Sequence, residues 1–292
     1  MTQAAVPDET LAHAECGALG RADDRFDGFG VRSAPSHPVE GLSTAPKVDQ
    51  FSVAVDRMNH REERAELRGA VYRGDGGSLV SMLTREAWPD HALQLIGDGL
   101  LGVLAARAKG VEEVARRCVI GLRERGWEGD GELADGIEAA LGSGPVPLLR
   151  PLPVDLEELA GVLEGDPVTG GGRIDLLTGE VWPQPAIEYA EETGDFDEDD
   201  EERWLWVECE GSRAGYRDME VFIAAVEDTG QADRLSIAIG GRGAFRRFKD
   251  VLSRWPVLLD RWHAFSEDRQ RGRARAWLAA EGYTPAPHRP GA

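Results

Sequence analysis

The sequence predicts an α+β protein: an all-helical region followed by a small antiparallel sheet packed with several C-terminal helices. Apolar residues recur at helical spacing through residues 61–142. Residues 173–182 and 204–209 have the alternation and aromatic content typical of strands. Apolar stripes return at helical spacing in residues 216–278. A run of helices followed by a mixture of strands and helices indicates the α+β class.

Charge and cysteine content exclude several classes of protein. The chain of 292 residues has 53 acidic and 33 basic residues, a net charge of −20, which on average repels nucleic acid. Its longest apolar run, residues 100–106, is far shorter than the ~20 residues of a membrane helix. The three cysteines, Cys16, Cys118 and Cys209, are widely spaced and form no CxxC pair. We therefore expect a cytoplasmic protein without disulfides and without a membrane segment.

Composition divides the N-terminal half into two parts. Residues 1–59 have little periodicity and too few apolar residues to offset the entropy of ordering, so we predict a disordered tail. Residues 60–144 are predicted as a helical domain. Trp88 and Trp127 each precede a similar apolar pattern, so this domain is either a plain helical bundle or a short repeat array.

Prolines mark the boundary between the two halves. Residues 145–171 are predicted as a proline-rich linker with a short helix that Asp155 caps. Residues 172–283 are then the α+β domain, and residues 284–292 a second disordered tail.

Within this domain, residues 173–182 indicate strand, turn and strand, and residues 204–209 a third strand. The next helix is predicted to begin at Ser212 and to end at Gly230. A later helix, with Phe245 and Phe248 on its apolar face, is predicted to stop at Pro256.

The order of these segments resembles the bacterial uncharacterised protein family UPF0158 over residues 173–283. The hairpin at 174–181, the aromatic strand and the helix at 216–226 contribute to the resemblance, and the Gly-Ala-Phe-Arg-Arg-Phe-Lys segment at 243–249 is its most specific part. The resemblance implies a shared fold. The family has no established activity, so the resemblance supplies no catalytic residues.

The sharpest candidate for a binding site is the glycine-rich turn at 241–249. A Gly-x-Gly turn that opens a helix leaves free N–H groups at the positive end of the helix dipole. The predicted binding residues, suited to phosphate oxygens, are Arg242, Gly243, Arg246, Arg247 and Lys249. The alternative is that the phenylalanines of this helix are core residues and its basic face is solvated or paired internally.

Metal binding and catalysis have weaker support in the sequence. Asp175, Glu180 and Glu208 could meet on the sheet and hold a divalent cation, or they could lie in water or pair with arginines such as Arg173 and Arg213. Phosphate-binding and hydrolase motifs are absent from the sequence. We therefore predict no cofactor, no metal and no catalytic residue.

The charge is also divided along the chain. Residues 188–210 contain twelve acidic residues against Arg203, whereas residues 241–292 contain eleven basic and five acidic residues. The acidic run could fold over the basic face or engage a basic partner. The predicted function is a non-enzymatic adaptor or regulator with a protein partner. The alternative is a nucleic-acid-associated factor that uses the 241–249 turn and the arginines from Arg269 to Arg275, and a third possibility is a carboxylate-metal enzyme.

Overall fold

A computed structural model describes residues 50–85, 88–165, 170–193 and 202–286. Residues 1–49 and 287–292, which hold most of the first predicted tail and part of the second, lie outside the described residues, as does most of the acidic run, at 194–201. All described residues belong to one compact unit, residues 48–292. The predicted domain boundaries stay predictions, because packing within one unit does not reveal whether either half folds alone.

The N-terminal half is a bundle of helices around its own apolar core. Helix α1 begins inside the predicted tail, and Asp75 caps α2 by accepting from the Ser78 N–H at 3.1 Å. Gly126 and Gly142 end α4 and α5 in the left-handed conformation. The helices of this half are α1 (Gln50–Arg73), α2 (Gly76–Leu83), α3 (Leu93–Ala105), α4 (Glu112–Arg125) and α5 (Asp130–Leu141).

The predicted three-stranded antiparallel sheet is confirmed. Its strands are β2 (Gly172–Asp175), β3 (Val181–Pro183) and β4 (Trp204–Val207), in the order β3-β2-β4. Ile174 pairs with Val181 on one side and with Leu205 on the other, and this face covers a second apolar core. Helix α7 (Gln184–Thr193) follows β3, in a segment for which the sequence predicted no helix.

A second pairing was not predicted. Strand β1 (Arg150–Leu152), within the proline-rich segment, pairs in parallel with β5 (Tyr283–Pro285) near the end of the described chain. Helix α6 (Leu156–Leu163) follows β1, and Asp155 caps it by accepting from the Glu157 N–H at 2.7 Å, as predicted.

In the described part of the chain four helices complete the C-terminal half, and one of their predicted ends is wrong. Gly230 does not end α8, because the helix stops at Ala224 and Gly230 lies in α9, which Asp228 caps. The helix with Phe245 and Phe248 does stop before Pro256, at Leu252, and Pro256 itself begins the next helix, since proline suits the first turn, where its missing N–H costs nothing. Ser212 lies at the start of α8 without a capping hydrogen bond from its side chain. The helices are α8 (Arg213–Ala224), α9 (Thr229–Ile239), α10 (Ala244–Leu252) and α11 (Pro256–Ala280).

Helix α11 lies at the centre of the unit and contacts both halves. Trp262 and Phe265 join the core formed with α8, α9 and α10, whereas Ala274 and Leu278 join the core beneath the sheet. Further residues of α11 face the N-terminal bundle through polar side chains. A helix buried on several sides lacks the single apolar stripe of a surface helix. No helix in the described part of the chain combines the length and apolar content needed to span a bilayer.

Candidate functional site

The cationic residues of the predicted basic turn have two different environments: one forms hydrogen bonds within the turn, and the others face solvent. Gly243 precedes α10 with φ 75°, a left-handed conformation that glycine adopts without strain. Arg247 turns back onto the turn and donates to backbone carbonyls, including Ala238 O at 3.0 Å and Gly240 O at 2.5 Å. These acceptors occupy its guanidinium, so Arg247 holds the α9–α10 connection in place.

The other cationic side chains of this turn face solvent. Arg246 is 89% exposed, and its nearest carboxylate, Asp250, lies at 3.9 Å. Arg242 and Lys249 are also exposed. The turn therefore offers three solvated cations.

The arginines in the second half of α11 are buried or half-buried and pair with carboxylates of the same chain. Arg269 and Arg273 both bind Asp218, at 2.9 Å and 2.8 Å, and Arg273 also pairs with Glu164 after α6. Arg271 and Arg275 both pair with Asp98 on α3. The basic face that the sequence predicted here is thus compensated internally.

A buried polar network joins α11 to the N-terminal bundle. Asp268, whose side chain is 1% exposed, pairs with Arg125 and accepts the Gln94 N–H at 3.0 Å. Arg125 also forms a bidentate pair with Asp130, at 2.6 Å and 2.9 Å. Burial raises the pKa of the Asp268 carboxyl, whereas the charge of Arg125 and the Gln94 N–H act in the opposite direction. We call this set the interhelical network: Gln94, Asp98, Arg125, Asp130, Asp268, Arg271 and Arg275.

Gln94 connects the members of this network. Its side-chain N–H donates to Asp130 Oδ1 at 2.8 Å, and its side-chain oxygen accepts from Arg275 Nε at 2.9 Å. Every polar group of a buried amide must find a partner. The network therefore fixes the register of α11 against α3 and α5, and we assign it a structural role.

His91 lies beside this network within an aromatic cluster. Its ring stacks on Trp127, with centroids 5.9 Å apart, and meets the edge of Phe265 at 5.3 Å. Burial lowers the pKa of His91 to about 4. The imidazole is consequently neutral at pH 7 and behaves as an aromatic packing group.

The carboxylates considered for a metal do not converge. Asp175 binds Arg203 through contacts of 2.6 Å and 3.1 Å and accepts the Leu177 N–H at 2.8 Å. Among the described residues no group of three or more potential ligands is placed to hold a metal ion. Cys118 is buried, which raises the pKa of its thiol to about 12, and it packs as an apolar residue.

The outer face and outer edge of the sheet form the first candidate for an interaction surface. Arg173 lies between Trp182 and Trp206 in the strand register, and its guanidinium stacks 3.9 Å from the centre of the Trp206 ring. Trp206 nevertheless remains 61% exposed. β4 is at the end of the strand order, so in the described part of the chain its outer edge pairs with no strand.

The second candidate is a cleft of about 240 Å³ beside the end of β4. The start of α8, the end of α6 and one side of α11 enclose it. Glu164 and Arg273 pair at its wall, and Glu128 and Glu210 also line it. Trp277 supplies the aromatic surface. No sequence motif predicted this cleft, because its residues come from four separate segments of the sequence.

Comparisons with known proteins bear on the C-terminal half alone. Residues 185–289 match the model of an uncharacterised protein family, UPF0158. A UPF0158 protein of Pseudomonas aeruginosa is 28% identical over 138 residues, which are 47% of this chain and 89% of that relative. No solved structure matches the chain. The match begins in α7, so it takes in β4 and all the C-terminal helices. The resemblance is therefore confirmed: the C-terminal part of this chain is similar to the uncharacterised protein family UPF0158.

Proposed function

We propose that the protein is a non-enzymatic adaptor or regulator of the cytoplasm that binds an extended segment of a partner protein along β4. The observation that carries this proposal is the outer edge of β4, to which the described residues add no further strand. An edge strand presents a row of unpaired N–H and C=O groups, and extended peptides bind to such edges as an added strand.

The hydrogen-bond pattern of the sheet supports this proposal. Leu176 N–H donates to Arg203 O at 2.8 Å, so Arg203, Leu205 and Val207 direct their backbone groups toward β2. In an antiparallel pair these groups alternate in direction. The backbone groups of Trp206 consequently point toward the outer edge. The exposed ring of Trp206 offers an added strand an apolar neighbour for cross-strand packing.

Charge favours a basic partner over a second copy of this chain. Glu202 precedes β4, and Glu208 and Glu210 follow it. If two copies paired antiparallel about Leu205, Glu202 of one copy would lie opposite Glu208 of the other, and like charges directly opposite are destabilising. A segment that carries lysine or arginine would meet opposite charges at the same positions.

The pairing of the α11 arginines favours this function over nucleic-acid binding. Arg269, Arg273 and Arg275 contact carboxylates of the same chain, so phosphate would have to displace buried partners. The exposed Arg242, Arg246 and Lys249 remain, in a chain whose net charge is −20.

A peptide-display selection on the full chain tests the proposal. We expect enrichment of extended segments that alternate apolar residues with lysine or arginine. Trp206→Lys places a charge on the outer face of the edge strand, where it opposes an added basic strand, and we expect it to reduce the affinity of the selected peptides by roughly tenfold or more. Ile237→Lys is the matched control, because Ile237 is similarly exposed, at 77%, but lies on α9.

Failure to enrich any peptide would contradict the proposal. Binding that Trp206→Lys leaves unchanged, or that Ile237→Lys weakens equally, would contradict it as well.

A further inference from the structure

The cleft beside β4 holds two carboxylates that have no cationic partner among the described residues. Glu164 is satisfied by Arg273 and by Gln270, which donates at 2.7 Å. Glu128 and Glu210 are exposed and form no ion pair with any described residue. We propose that this cleft binds the arginine or lysine side chain of a partner segment, an inference that rests on the proposed function and identifies the chemistry of its partner.

The shape and lining of the cleft fit one long side chain. Pockets for drug-sized ligands begin at about 300 Å³, whereas this cleft measures about 240 Å³. Ala276 and Trp277 provide an apolar wall against which the methylene stem of a basic side chain packs. A cation near the indole ring is also attracted by the negative face of the ring. Glu128 and Glu210 then pair with the charged end.

A second feature of the cleft indicates a peptide. Arg273 lines the cleft with a side chain 8% exposed, and its Nε is a buried donor with no acceptor among the described residues. Buried donors normally find an acceptor. Less than 1 Å² of the Nε is accessible, so a peptide carbonyl reaches it when the Arg273 side chain shifts toward the cleft. A peptide then brings an acceptor for this donor together with a cationic side chain for the two carboxylates.

The cleft lies close to the proposed edge site along the chain, because Glu210, which lines the cleft, comes three residues after the end of β4. Glu210 follows β4 closely, and its N–H donates to Leu163 O at 2.8 Å, which holds this connection against the end of α6. Gly211 and Ala214, at the start of α8, continue the lining. One extended segment can therefore run along β4 and direct a side chain into the cleft.

A titration that needs no strand addition tests this inference separately. The probe is N-acetyl-arginine N-methylamide, added to the isotope-labelled full chain and followed by NMR chemical shifts. We expect saturable binding in roughly the millimolar range, with shifts centred on the Trp277 indole and on Gly211. The citrulline analogue has nearly the same shape without the charge, and we expect it to bind roughly tenfold more weakly.

Charge-neutral variants locate the binding. Glu128→Gln/Glu210→Gln should weaken the arginine probe roughly tenfold. Glu112→Gln/Glu132→Gln changes the net charge equally at exposed positions that do not line the cleft, and it should leave binding unchanged. Ala280→Leu, which fills the cleft from the exposed end of α11, should abolish binding while the melting temperature stays near that of the wild type.

Equal binding of the citrulline probe, shifts centred elsewhere or equal loss in the control pair would overturn the inference. Trp206→Lys distinguishes the two proposals, because it should spare the arginine probe and weaken the selected peptides. If the probe binds the cleft but no peptide binds the edge, the proposed function fails and the cleft remains a site for a cationic group.

Discussion

Removal of the Asp268 carboxylate should destabilise the protein far more than removal of a surface carboxylate that also pairs with an arginine. Asp268 is 1% exposed and binds both Arg125 and the Gln94 N–H. Asp268→Ala deletes one buried ion pair and leaves the Gln94 N–H without its acceptor. Arg125 keeps its bidentate contact with Asp130, so its charge is not stranded.

The loss of the ion pair and of the hydrogen-bond acceptor determines how much the free energy of unfolding should fall. Breaking a buried pair costs about 3–5 kcal/mol, and an orphaned buried donor about 1–3 kcal/mol. Because Arg125 retains Asp130, we expect the lower end of the combined range of about 4–8 kcal/mol, which is about 4 kcal/mol. Asp268→Asn keeps an oxygen for Gln94 and should cost about 1–2 kcal/mol less than Asp268→Ala.

The assay is urea unfolding followed by circular dichroism. The matched control is Asp135→Ala, which removes an exposed carboxylate, 54% exposed, from Arg123 and should cost less than about 1 kcal/mol. Equal destabilisation by Asp268→Ala and Asp135→Ala would refute the reasoning, since it would mean that Asp268 is solvated.

Three further predictions concern other parts of the molecule. A Cβ on Gly272 would lie 2.3 Å from the Glu128 carbonyl oxygen, so Gly272→Ala must displace the loop before α5 and should lower the free energy of unfolding by about 2–3 kcal/mol in the same assay. The pKa of His91 is about 4 in the folded protein, below the ordinary histidine value of 6.5 that applies to the unfolded chain, so the unfolded chain binds the proton first and stability falls as the pH drops from 6.5 toward 4. His91→Phe should remove up to about 2 kcal/mol of the stability lost between pH 7.5 and 5, and an unchanged pH profile in that variant would contradict this assignment. Titration of labelled DNA and RNA at low salt should show only weak background binding. Micromolar binding that is lost in Arg246→Ala would contradict the choice of a protein partner over nucleic acid.

Local patterns in the sequence were sufficient to predict most of the secondary structure. The three-stranded sheet, the N-cap at Asp155 and the apolar stripes of α8, α10 and α11 follow from spacing and residue type. The error at Gly230 arises because glycine interrupts helices in general, and the sequence alone does not reveal on which side of it a helix lies.

Features that depend on distant residues could not be predicted in this way. Strand β1 pairs with a strand more than a hundred residues later, and a three-residue strand has too little pattern to be recognised. The arginines of α11 formed a basic stripe in the sequence, but their partners Asp98, Glu164 and Asp218 lie on three other segments. Whether a charge faces solvent or a carboxylate is decided by tertiary packing.

The candidate binding sites could not be predicted from the sequence for the same reason. Arg247 was predicted to bind a ligand but is occupied by carbonyls of its own turn, and the sequence cannot show that closure. The cleft is built from residues 128, 164, 210 and 273–277, so no spacing could have indicated it. A carboxylate can be identified as unpaired only when the positions of its neighbours in the folded protein are known.

Hydrogen exchange at β4 is the most direct measurement of the proposed binding mode. In the free protein the amide of Trp206 should exchange much faster than those of Leu205 and Val207, which bond to β2. With a selected basic peptide bound, the amide of Trp206 should become protected. If it is already protected in the free protein, or if it remains unprotected when the peptide is bound, this edge is not the binding site.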